Sequence, residues 1–149
     1  MFDESAFRQL LTREANRSSR YQEFFVLCLV KPDVPDPTRE SLLEAVATHL
    51  VRVLRASDVV GRIQGVIGIL LINTPPAEAV GIAERVRAQM STLALPGQAG
   101  GSVTVSVGVA FFPHDGITPA RLVSEGQAHL DRAIGDGGNR VVHGGADEA

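Results

Sequence analysis

The sequence predicts one α+β domain built on a mostly antiparallel sheet, and three observations carry that prediction. Residues 24–30 and 66–72 are apolar runs of strand length without a charge, the pattern of strands covered on both faces. Stretches with apolar residues at three- and four-residue spacing alternate with these runs, and Pro- or Gly-rich breaks separate them. The 149 residues, 44% apolar and 21% charged, suffice for one hydrophobic core. With six Phe and one Tyr as the only aromatics, that core is mostly aliphatic.

Residues 7–20 open the chain as a helix, with Phe7, Leu10, Leu11 and Ala15 on one side and Arg8, Arg13, Glu14 and Arg17 mostly on the other. The first strand, residues 24–30, stops at Lys31-Pro32-Asp33-Val34-Pro35-Asp36-Pro37, where three prolines in seven residues exclude regular structure. Asp36 or Thr38 can cap the next helix, with Pro37 suited to its first turn and Leu43, Val46, Leu50, Val53 and Leu54 as its apolar stripe. Residues 58–73 read as two strands around a Gln64-Gly65 turn, the second of them central. Thr74-Pro75-Pro76 starts a helix carrying Val80, Ala83, Val86 and Met90. A glycine-rich break at residues 97–101 precedes a β-rich stretch to residue 112 and a Pro113-His114-Asp115-Gly116 turn. Thr118-Pro119 begins the last helix, with Leu122, Gly126, Leu130 and Ala133, and Arg140-Val141-Val142 supplies a short final strand. The core order β-α-β-β-α-β, preceded by an N-terminal helix, is the ferredoxin-like, palm-type arrangement, with one layer of helices expected on the sheet. The domain is expected to span residues 1–142, with residues 143–149 as a flexible tail.

Composition removes several functions. Fourteen Lys and Arg against seventeen Asp and Glu leave a net charge of −3 and no basic excess for a nucleic-acid backbone. No apolar run reaches the length of a membrane span. Met1-Phe2-Asp3-Glu4-Ser5 lacks the basic start of a signal peptide, and the single Cys28, inside an apolar run, forms no intrachain disulfide. Both point to the cytoplasm. Cys28 reads as a small core residue. His49, His114, His129 and His143 are dispersed without metal-ligand spacing, so no metal or cofactor is expected. Ser106 has no partner histidine in the pattern, and the Gly100-Gly101 and Gly137-Gly138 doublets lack the Lys-Ser/Thr of a phosphate loop.

Once the elements are placed, six segments in order resemble the GGDEF domain of the diguanylate cyclase family. They are the opening helix with Arg17 and Arg20, residues 54–62, residues 82–87, the strand Val103-Thr104-Val105-Ser106-Val107-Gly108-Val109-Ala110, the following Phe112-Pro113-His114-Asp115-Gly116, and the ending, residues 133–141, with Gly138-Asn139-Arg140-Val141. The resemblance covers nearly the whole chain and implies that family's fold.

The signature itself departs from the family. In register with Arg62, the five GGDEF positions are Gln64, Gly65, Val66, Ile67 and Gly68, so the second glycine alone is kept. The two acids of the signature serve metal binding and catalysis in the family, and a divalent cation needs oxygen ligands that Val66 and Ile67 lack. The other metal carboxylate of the family falls at Val30-Lys31, with Asp33 and Asp36 outside the register. The guanine-recognition segment is replaced by a short loop, and Ile134 stands where the resemblance places a lysine. The resemblance therefore implies no catalytic residue and no enzymatic activity. Gly144-Gly145-Ala146-Asp147-Glu148-Ala149 matches the signature only superficially, following the last strand with no hairpin partner.

Arg55 and Asp58 stand at the family spacing of the RxxD inhibitory site, with Arg85 at a position that can assist. A guanidinium fork can pair with a guanine edge or a phosphate, and a carboxylate can accept from guanine N–H groups. Against this, an arginine at a helix C-terminus is favoured by the dipole, and Asp58 at a turn can pair with Arg62. The reading is a non-catalytic GGDEF-like module of bacterial signalling that works through a protein partner or an adjoining signalling domain, with a homodimer left open. The alternative is a receptor that binds cyclic di-GMP through Arg55, Asp58 and Arg85. An active cyclase ranks last.

Overall fold

The computed structural model describes residues 1–35, 38–93 and 103–144. Its elements are α1 (Glu4–Tyr21), β1 (Phe25–Pro32), α2 (Thr38–Val53), β2 (Val59–Ile63), β3 (Val66–Ile72), α3 (Pro76–Met90), β4 (Val105–Phe112), α4 (Pro119–Gly135) and β5 (Val141–His143). The order is the one the sequence predicts. The strands form one sheet, β2-β3-β1-β4-β5, antiparallel throughout except for the β4–β5 pair.

The two uninterrupted apolar runs became β1 and β3, the interior of the sheet. In β1, Val26, Cys28 and Val30 face a core made with α2 and α3, while Phe25, Leu27 and Leu29 face a second core made with α1 and α4. Helices therefore cover both faces, two on each, where the sequence reading placed a single layer. Alternation along a strand explains it: a strand apolar at every position has two faces to bury.

β1 also runs past its expected stop, through Lys31 and Pro32. Pairing with β3 ends at Val30, so beyond it β4 is the only neighbour of β1. The Asp33 N–H donates to Thr104 O at 2.9 Å, which makes Pro32–Val105 a pair without ladder hydrogen bonds. A residue with no N–H fits there. At the other end Phe24 is left outside the strand and exposed. β5 extends to His143, opposite Val109, so residue 143 belongs to the sheet and not to the segment expected to follow it. The Asp36 cap, the 97–101 break and residues 145–149 lie outside the described residues.

Helix ends follow local chemistry. Asp3 caps α1 by accepting from Ala6 N at 2.8 Å, and Thr118 caps α4 by accepting from Arg121 N at 3.2 Å. Gln22 closes α1 in the left-handed region, with φ 55°. Gly108 of β4 lies directly under α4, where a Cβ would stand 2.3 Å from both Gly126 O and Leu130 N. Because both obstructions are backbone, no rotamer relieves them. Gly108→Ala should lower unfolding stability by about 2–3 kcal/mol or more, measured by urea denaturation, as overpacking does in a tight core.

Candidate functional site

The β2–β3 hairpin turns at Gln64 and Gly65, with φ 54° and 75°, the two positive values of a type I′ turn. Val66 and Ile67 follow on opposite faces. Val66 joins the α1–α4 core, and Ile67 joins the α2–α3 core with Val30, Leu42, Leu43 and Val46. Val30 and Ile67 are direct cross-strand partners and both are fully buried. Ile67, one of the two acid positions of the signature, thus meets Val30, the first residue of the Val30-Lys31 place where the resemblance puts the other metal carboxylate, and both are aliphatic. Lys31, next in β1, is partly exposed and pairs in register with Ser106. Among the described residues, no group of three or more His, Cys, Asp or Glu side chains is placed to hold a metal ion.

Gly68, the last signature position, is paired with Gly61 of β2. The Phe7 ring lies across both glycines: a Cβ would fall 2.5 Å from Phe7 Cδ1 at Gly61 and 2.6 Å from Phe7 Cζ at Gly68. An aromatic ring covers this position from α1. Sequence reasoning placed Phe7 in the core but had no signal linking it to these glycines.

Sequence reasoning also missed Asp33, which it left on the loop. Its carboxylate accepts from Thr104 Oγ1 at 2.6 Å, Ser106 Oγ at 2.6 Å and Asn139 N at 2.9 Å. The Gly138-Asn139 turn packs on it, and Arg87 Nη1 donates to Asn139 Oδ1 at 3.0 Å. Asp33 is a tie between β1, β4 and the α4–β5 turn. Ser106, buried, is one of its donors rather than a nucleophile with a base.

Arg55 and Asp58 are brought together. The Asp58 carboxylate accepts from the backbone N–H groups of Arg55 and Ile72, each at 3.1 Å, and from the Arg55 guanidinium at 3.4–3.5 Å. Arg55 Nη2 also donates to Ile72 O at 2.9 Å and Thr74 Oγ1 at 2.5 Å. The Asp58 side chain is 1% exposed and that of Arg55 49%. The pair ties the C-terminal end of α2 to the end of β3. Arg62 does not join it; its guanidinium pairs with Glu40 on α2. Arg85 is exposed on α3 and makes no hydrogen bond or ion pair with the described residues. An open hollow of about 390 Å³ beside Arg55 is lined by Met1, Phe2, Val51, Leu54 and Val60.

Burial pushes the Cys28 thiol up to about 12, with the Asp58 charge adding to it, so the cysteine is an inert core group. His129 Nδ1 lies 2.8 Å from Val109 O, His49 faces Gln89, and His143 meets the Phe111 ring edge-on. On α1, Arg17 bonds to Glu14 and Glu23, which hold its guanidinium well above its usual range.

A family model described as "Diguanylate cyclase, GGDEF domain" matches residues 37–140. Among solved structures, the chain is similar to the GGDEF domain of PA1120 (YfiN or TpbB) from Pseudomonas aeruginosa, with TM-score 0.84, 20% identity, and coverage of 95% of this chain and 94% of that one. It is similar to the GGDEF domain of DgcB from Caulobacter crescentus in complex with c-di-GMP, with TM-score 0.80, 19% identity, and coverage of 95% and 87%. It is also similar to the diguanylate cyclase SiaD from Pseudomonas aeruginosa in complex with its activator SiaC, with TM-score 0.81, 27% identity, and coverage of 95% of this chain and 58% of that one. No match was found among curated proteins. No helix among the described residues is long and apolar enough to cross a membrane.

Proposed function

The chain belongs to the GGDEF, or diguanylate cyclase, family, and from that premise we propose that it is a non-catalytic member, a regulatory module of bacterial signalling that acts through protein contacts. The observation that carries this reading is the Val30–Ile67 pair. Both residues are fully buried and aliphatic, Ile67 at an acid position of the signature and Val30 within the Val30-Lys31 place of the other carboxylate, whereas a divalent cation needs hard oxygen ligands. Val66, on the other face, is equally closed to the solvent side of the hairpin. What the fold retains is surface and scaffold. A relative whose structure holds a protein activator, SiaD with SiaC, supports contact with a protein as the mode of action.

The receptor reading draws its support from DgcB, a relative solved with c-di-GMP. Here its two residues are largely engaged by their own fold. Asp58 is buried and both of its oxygens accept backbone N–H groups, which leaves the half-exposed Arg55 and the exposed Arg85 to meet a ligand. We rank it second.

One pair of measurements tests both. Incubation with GTP and magnesium or manganese is expected to yield no cyclic di-GMP, and clear turnover would overturn the non-catalytic reading. Calorimetry with cyclic di-GMP is expected to show no heat at tens of micromolar. Heat that disappears in Arg55→Ala, with the fold intact by circular dichroism, would establish the receptor instead.

A further inference from the structure

β2 is an edge of the sheet, and its outer side is occupied by the start of the same chain. The Phe2 N–H donates to Val60 O at 3.0 Å, and the Arg62 N–H donates to Phe2 O at 2.9 Å, forming a one-residue parallel bridge opposite Gly61. One step on, Gln64 N donates to Glu4 Oε1 at 3.1 Å. Three outward groups of the edge, Val60 O, Arg62 N and Gln64 N, are thereby engaged by Phe2 and Glu4. An open edge is a template for pairing with another chain, and proteins cover such edges.

Residues 1–3 are held more by backbone than by burial. The Phe2 ring is 47% exposed over the hollow that it shares with Val51, Leu54 and Val60. Asp3, in turn, caps α1 and does not pair with β2. Releasing residues 1–2 therefore leaves the helix and its cap in place. The uncovered Val60-Gly61-Arg62 segment is self-complementary about its glycine. In an antiparallel pairing of two copies, Val60 of one faces Arg62 of the other in hydrogen-bonded register, and no side chain projects at the two-fold axis.

We propose that residues 1–2 are a strap that closes the β2 edge, and that release of the strap lets two copies of this chain join edge to edge through β2. Any input that draws the N-terminal segment away from the hairpin would act as the release. The device is independent of whether the domain turns over GTP.

Deleting Met1 and Phe2 removes both the N–H that donates to Val60 and the carbonyl that accepts from Arg62, and leaves the Asp3 side chain to cap α1. Hydrogen exchange at the Arg62 amide is expected to rise about 10–100-fold, with β1 amides unchanged, as for a local opening. Sedimentation is expected to show one association step above the parent chain at high micromolar concentration. Adding Arg62→Pro, which a strand edge tolerates, should return the protein to the parent size. Fast exchange at Arg62 without association overturns the proposal, as does association that survives Arg62→Pro. Unchanged exchange at Arg62 after the deletion would show that the strap does not guard the edge.

Discussion

Ile67→Glu should unfold the domain at neutral pH rather than supply a metal ligand. The residue is fully buried, within the same apolar core as Val30, Leu42, Leu43 and Val46, where the weak Cys28 thiol is the one side-chain donor among the buried residues. A glutamate placed there must be desolvated as a charge or carry a proton. Holding a carboxyl of ordinary pKa about 4.3 protonated at pH 7 costs about 3–4 kcal/mol. Losing the burial of an isoleucine adds about 1.5–3 kcal/mol. The sum is comparable with the whole stability of a typical domain, about 5–15 kcal/mol. The sign of the pH dependence follows. The folded-state pKa of the new glutamate lies above its unfolded value, so the folded state binds more protons and stability falls as pH rises through that interval. The gap between variant and parent should narrow from pH 7 to pH 5. Urea titrations at the two pH values measure it, alongside Val66→Asp and the double variant in a GTP assay. A folded double variant that makes cyclic di-GMP would mean that the hairpin retains a usable metal site and that the buried pair has been misread.

The elements were legible because each has a local signature. Uninterrupted apolar runs marked β1 and β3, Gln64-Gly65 marked the hairpin, and Thr118-Pro119 marked the start of α4. The signature positions were legible through Arg62, and their register places Ile67 opposite Val30. What the sequence could not display were ties between distant segments. Asp33 finds its partners 71, 73 and 106 residues away, and nothing local separates such an aspartate from a loop residue. The ring of Phe7 over Gly61 and Gly68 is equally non-local, although two glycines paired in otherwise apolar strands are a signal of close approach. The RxxD spacing marked Arg55 and Asp58, but the local partner it suggested for Asp58 was Arg62 and not Arg55. It gave no sign that Ile72 would supply the donor deciding what the pair does.

That donor makes Asp58 the residue whose substitution best separates a scaffold from a ligand site. Its two oxygens accept different backbone N–H groups, Ile72 on Oδ1 and Arg55 on Oδ2. Asparagine preserves the shape but has one oxygen, so its amide NH₂ must face an N–H whichever way it is turned. Asp58→Asn is therefore expected to be no milder than Asp58→Ala, each costing about 2–3 kcal/mol, the scale of hydrogen bonds to a charged group and of a buried donor left unmade. Arg55→Ala should cost less, because the two backbone donors still reach Asp58 and the guanidinium is half in water. A residue kept for a ligand predicts the reverse, with Asn close to the parent in stability and changed only in binding. Urea denaturation of the three variants, with cyclic di-GMP calorimetry on those that fold, reads both. A parent-like Asp58→Asn that has lost ligand heat would move Asp58 from the scaffold to a binding site.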